Sequence, residues 1–198
     1  MPFKRKILCW IWVCLGIFII TANIANATTN DFPAYAGSAS CQDCHHAEYN
    51  LWIHSHHALA ERPLQPNVDK TAFSPARTVN SGSQNNTVRI QDGQFQIISL
   101  GFQTNATPYE VKRVIGADPV EQFITPSDGG RWQVQQISYN PNSHQWFDVY
   151  AGENRRPGEW GHWTGRGMNW NSECAECHNT DLKKNYNAVD DSYHKFAR

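Results

Sequence analysis

The chain has 198 residues, 17 basic and 18 acidic, with a net charge of −1 when its 9 histidines are neutral. That length suits one domain or two small ones, and the even charge balance, with no basic stripe, excludes a nucleic-acid binder. Six cysteines are present, and four of them fall in two copies of one short motif.

Residues 1–27 read as a signal peptide. "MPFKRK" is a basic leader, "ILCWIWVCLGIFII" an uncharged core of 14 residues, and Ala25 and Ala27 supply the small residues of a cleavage site before Thr28. The apolar run is shorter than the ~20 residues of a membrane span, so cleavage is expected rather than retention as an anchor. The mature chain, residues 28–198, then has no membrane span and lies in the periplasm. It loses Lys4, Arg5 and Lys6 and no acidic residue, which leaves 14 basic against 18 acidic.

Cys9 and Cys14 leave with the signal peptide, so the mature chain keeps Cys41, Cys44, Cys174 and Cys177 alone. They stand in "CQDCH" and "CAECH". Two thiols separated by two residues reach the two former vinyl groups of a haem, and the histidine that follows falls under the iron. Each motif therefore predicts one covalently attached haem c, with His45 and His178 as the proximal ligands. A zinc site of paired knuckles normally separates them by about 15–20 residues. A thioredoxin-like redox pair occurs once, in a βαβ setting. Two disulfides are the remaining alternative in an oxidising compartment, but chance does not put histidine after both pairs.

After the first motif, Tyr49, Trp52, Ile53, His56, Leu59 and Ala60 recur at roughly helical spacing until Pro63, which predicts a helix over 46–61. On a straight helix His57 would lie about 18 Å beyond His45, so His57 is placed to reach a neighbouring haem rather than the one at Cys41 and Cys44. His54 and His56 read as hydrated or packed helix residues. Residues 62–86, rich in proline, serine and asparagine, read as a loop or linker. From Thr87 the period becomes two. "TVRIQDGQFQII" predicts a hairpin about Asp92-Gly93, "YEVKRVI" a further strand, and turns are expected at Asp128-Gly129-Gly130 and Asn140-Pro141-Asn142. An antiparallel β unit is expected over 87–150, with Phe95, Phe123, Trp132, Tyr139 and Phe147 in its core. The approach to the second motif, "GEWGHWTGRGMNWNSECAECH", is rich in glycine and tryptophan. Its glycines let the backbone approach a cofactor, Trp163 and Trp170 offer flat apolar area, and His162 is a second distal-ligand candidate. His144 reads as a turn residue and His194 as a terminal one. Met168 is the one methionine of the mature chain, so the histidines favour bis-histidine irons.

Together, "YAGSASCQDCHHAEYNLWIHSHHALA", "PVEQF", "HQWFDVY" and "HWTGRGMNWNSECAECHNTDLKKNY" resemble the multihaem c-type cytochromes related to cytochrome c-554, including bacterial members that carry tetratricopeptide repeats. The resemblance runs from about residue 34 to 186, apart from 62–86. It implies haem attachment at both motifs and periplasmic electron transfer. The W-x-x-S-x-H-x-x-A element matches Trp52, Ser55, His57 and Ala60, which implies His57 as a distal ligand. Glu61 stands where relatives often have methionine. Relatives usually continue into a third haem motif, so the resemblance also implies a truncated product or a fragment of a longer chain.

The expected fold is α+β: an irregular multihaem cytochrome with an N-terminal haem segment (28–62), a central antiparallel β unit (87–150) and a second haem-binding segment (155–198). The favoured function is electron transfer between redox partner proteins through two covalent haems, without catalysis. The alternative is a multihaem oxidoreductase acting on small nitrogen or sulfur compounds at an open haem face. A third reading, a scaffold module of a longer protein, has no repeat array here to support it.

Overall fold

A computed structural model describes residues 35–194. Residues from Gly37 onward form one unit; of the other, Met1–Ala36, only Tyr35 and Ala36 are described. The signal peptide expected over 1–27 lies outside the described residues.

The fold is α+β, with every strand pairing antiparallel. Helix α1, His46–Ile53, follows the first cysteine motif. Strand β1 (Glu61–Pro63) and helix α2 (Pro66–Phe73) come next. A four-stranded sheet then runs β2-β3-β4-β5 in order, from Arg77–Ser81, Gln84–Gln91, Gln94–Ser99 and Thr107–Glu110. A five-stranded sheet has the order β1-β6-β7-β8-β9, in which β6 is Arg113–Ile115, β7 Glu121–Pro126, β8 Trp132–Asn140 and β9 Gln145–Asp148. The second cysteine motif lies on a π-helical turn, Trp170–Cys174, and the short helix α3, Ala175–His178. A last hairpin pairs β10 (Tyr186–Asn187) with β11 (Ser192–Tyr193).

Three expectations change. The helix expected over 46–61 ends at Ile53, where His54 adopts φ −101°, ψ 1°. Beyond it the Ser55 hydroxyl accepts the Ala58 N–H at 3.3 Å and the Ser55 carbonyl accepts the Leu59 N–H at 3.1 Å. A serine that caps a fresh turn in this way competes with helix continuation, and the chain then extends into β1. The linker expected over 62–86 is instead built of β1, α2, β2 and the first residues of β3. Pro66 opens α2 at its first turn, where its missing N–H costs nothing, and Asp69 reaches back to the Gln65 N–H at 2.6 Å. The strand expected at "YEVKRVI" is two strands in different sheets, β5 and β6. The hairpin at Asp92-Gly93 stands as read: Gln91 pairs with Gln94, and both turn residues have positive φ, 52° and 75°, as a two-residue hairpin requires.

Phe73 of α2 is fully buried among Phe95, Phe123 and Trp146, with ring centroids 5.0–5.4 Å away and nearly perpendicular planes. Val88, Ile97, Val114, Ile137 and Tyr139 complete this cluster, so α2 and inward residues of both sheets share one core. Of the aromatics expected in the core, Phe95, Phe123 and Tyr139 are buried, Trp132 packs beside a second cluster, and Phe147 is exposed.

A charged network ties β1 to the core. The Arg62 guanidinium is buried between Asp69 at 2.8 Å and Glu121 at 3.0 Å. Burial, with the Asp69 charge beside it, pushes the Glu121 carboxyl up to about 7 against the opposing pull of Arg62. Glu61 pairs with Arg113 across β1 and β6. These charges leave water only because each has a partner.

Seven successive residues of β8, Gln133–Tyr139, are buried. Part of the second-motif segment packs against this strand. The Gln133 amide donates to the Trp163 and Gly165 carbonyls at 2.9 and 3.0 Å, and the Trp132 N–H donates to Asn171 Oδ1 at 2.8 Å. Ile115, Ile124, Val134, Met168, Trp170 and Ala175 form the second apolar cluster there, with Cys174 and Leu182 packed beside it.

Candidate haem-binding segments

The first motif begins in a 3-10 turn, Ser38–Cys41. The His45 N–H returns to the Cys41 carbonyl at 2.8 Å, and the Tyr49 N–H to the His45 carbonyl at 2.8 Å, so the motif feeds directly into α1. Cys41, Cys44 and His45 are all exposed, and α1 has no buried residue. Leu51 is 79% exposed, Trp52 40% and Ile53 38%. A helix this apolar is ordinarily covered, and a porphyrin bound at Cys41 and Cys44 would supply apolar area close by.

The second motif is held more firmly. Asn169 caps its π-helical turn by accepting the Asn171 N–H at 3.0 Å, and Trp170 is fully buried with its ring 5.6 Å from that of His178. A π-helical turn is a frequent device at functional positions because it redirects the side chains that follow. Cys174 is half-buried, and burial pushes its thiol up. Cys177 and His178 are exposed. Among the described residues, the four cysteines form no disulfide.

One contact joins the two segments. Nδ1 of His178 lies 3.2 Å from the Ala60 carbonyl oxygen, 118 residues away in sequence. A carbonyl only accepts, so this nitrogen carries the proton, and the lone pair of a neutral His178 is on Nε2. That is the tautomer an iron ligand needs, with the second nitrogen held by a backbone carbonyl. The residues present therefore fit a haem c at the second motif. His57 lies three residues before Ala60, its carbonyl accepting the Ala60 N–H at 3.4 Å. The broken helix thus brings the His57 turn alongside the second motif. The straight-helix distance from His45 no longer applies.

His162 is placed differently. It is fully buried, its Nδ1 accepts the Thr164 N–H at 3.2 Å, and the Thr164 hydroxyl lies 2.8 Å from the same nitrogen. Its proton therefore sits on Nε2, which is buried with no partner among the described residues. Burial pushes this imidazole down to about 4. The tautomer is opposite to that of His178. His162 packs beside Trp163, whose ring lies 5.9 Å away. Sequence reasoning missed the Ala60 carbonyl, a backbone group that no residue type announces.

Two cysteine pairs are each followed by a histidine, and one of those histidines has its tautomer set for an iron, the pattern that a c-type cytochrome uses. The family model for cytochrome c554 and c-prime matches residues 40–90, which spans the first motif, the His57 turn, β1, α2, β2 and most of β3. The chain is related to the cytochrome c-554 family over that stretch. Members of that family are c-type cytochromes, the class in which haem c is bound covalently. No curated protein and no solved structure matches the chain. Among the described residues, no helix is long and apolar enough to cross a membrane.

Proposed function

We propose that the chain is an exported, periplasmic dihaem cytochrome that carries electrons between protein partners. The observation that carries this reading is the bond from His178 Nδ1 to the Ala60 carbonyl, which sets the second motif for iron and joins the two segments. Haem c, when bound, supplies one-electron redox chemistry at a fixed site. Cys41 and Cys44 would hold one haem covalently, with His45 as its proximal ligand. Cys174 and Cys177 would hold the other, with His178. His57, exposed in the turn after α1, is proposed as a distal ligand, and for a haem other than that of His178, because its turn lies behind the His178 ring on the side away from Nε2. Trp170 fixes the orientation of the His178 ring, and β8 with the Asn169 cap fixes the turn that carries it. Strong ligation from both sides suits a carrier because it limits geometry change on reduction.

Mass spectrometry of the mature protein tests the haem count: a mass two haems above that of the processed polypeptide is expected. Cys177→Ala combined with Cys174→Ala should lower it by one haem. A bare polypeptide, or a single haem in the wild type, would overturn the proposal. Carbon monoxide should leave the reduced spectrum unchanged, whereas a shifted spectrum would reveal an open iron and favour the oxidoreductase reading.

A further inference from the structure

The Ala60 carbonyl that receives His178 has a second donor. The Gly116 N–H bonds to the same oxygen at 3.1 Å, continuing the β1–β6 ladder one step beyond the Glu61–Ile115 pair. A carbonyl oxygen has two lone pairs and can take both donors. Gly116 is held to its conformation twice over: its φ is +77°, and a Cβ there would stand 2.6 Å from the Val120 carbonyl oxygen. Only glycine fits this position without displacing backbone.

We propose that Gly116 is a positioning residue for the second haem, acting through the Ala60 carbonyl on the His178 ring. This rests on the reading of His178 as an iron ligand and deepens it. The ladder bond fixes where the carbonyl points, and the carbonyl in turn holds the Nδ1 proton of His178. A proximal histidine that donates from Nδ1 is a more basic ligand. It favours the ferric state and lowers the potential of its haem, a lever that acts through hydrogen bonding outside the iron's own ligands. No such bond serves the first motif: the His45 ring has no hydrogen-bond partner among the described residues, so the two irons are tuned separately.

The test is a potentiometric titration of the matured full-length protein, followed optically and by electron paramagnetic resonance. In Gly116→Ala the midpoint of one haem is expected to rise while the other stays in place. Gly93→Ala, which places a similar strain (φ +75°) in a hairpin whose added Cβ meets nothing within 4 Å, should move neither. Two unmoved midpoints in Gly116→Ala, or two that move equally, would refute the role. Should Gly116→Ala fail to fold, the wild type decides: with 15N-labelled histidine, the Nδ1 proton of His178 should exchange more slowly than that of His45, and equal rates would refute it. Failure of the underlying reading looks different. It would appear as a missing haem at the second motif by mass, or as an unchanged spectrum in His178→Ala.

Discussion

At the scale of single residues, two histidines that look alike in sequence are opposites in space. His57 is exposed in a turn beside the second motif, and His162 is sealed with its proton on the inward nitrogen. His57→Ala is expected to give the oxidised protein a high-spin component, read from its absorption and paramagnetic resonance spectra; an unshifted low-spin spectrum would reject His57 as ligand. His162→Ala should leave that spectrum unchanged and lower stability by about 1–3 kcal/mol, the usual consequence of emptying a packed site. Loss of one low-spin signal in His162→Ala would identify it as a ligand. The cysteine motifs stand out in the sequence because haem attachment, where it occurs, is local chemistry written in five residues. The burial of His162 does not, because it depends on Gln133 of β8 drawing the Trp163 and Gly165 carbonyls inward.

At the scale of elements, local signals succeeded where one turn decides the outcome and failed where two signals compete. Asp92-Gly93 specifies its hairpin almost alone. Between 53 and 60, helical periodicity pointed one way and the Ser55 cap another, and the cap prevailed because β1 must pair with β6 immediately afterwards. Residues 62–86 misled through composition: proline and asparagine there serve a helix start and strand ends rather than a loop. Pro66 followed by Asp69 was the available clue. The same stretch holds Arg62, whose two carboxylate partners come from α2 and β7. Arg62→Ala strands buried carboxylates and should cost about 3–5 kcal/mol, measured by urea unfolding. A loss below 1 kcal/mol would show that water already reaches the network.

At the scale of the whole molecule, α2 and both sheets share one core, so the charges buried between β1, α2 and β7 are a global stability term. Glu121 ionises near 4.5 when unfolded and about 7 when folded. Between those values the folded chain holds the extra proton, so this group's contribution is fully present below about 4.5 and lost as the pH rises through 7. The loss is on the order of 3 kcal/mol. Thermal midpoints of the wild type should therefore fall relative to those of Glu121→Gln between pH 5 and 8; parallel curves would show that Glu121 is already ionised throughout. The antiparallel sheet content was legible from the period-two patterning after Thr87. Its division into two sheets was not, because the break falls between Glu110 and Arg113, inside a stretch that reads as one strand.

Helix α1 buries nothing, and its eight residues are too few to stay helical on backbone bonds alone. On the proposed attachment, its persistence would come from the haem at Cys41 and Cys44, whereas the two sheets make no use of those thiols. A chain with both replaced by serine should be cut by protease within residues 38–53 while the portion from Glu61 onward resists digestion. Maturation on this account proceeds in two tempos, with a β scaffold that orders by itself and a leading arm that takes lasting shape only once its prosthetic group is stitched on.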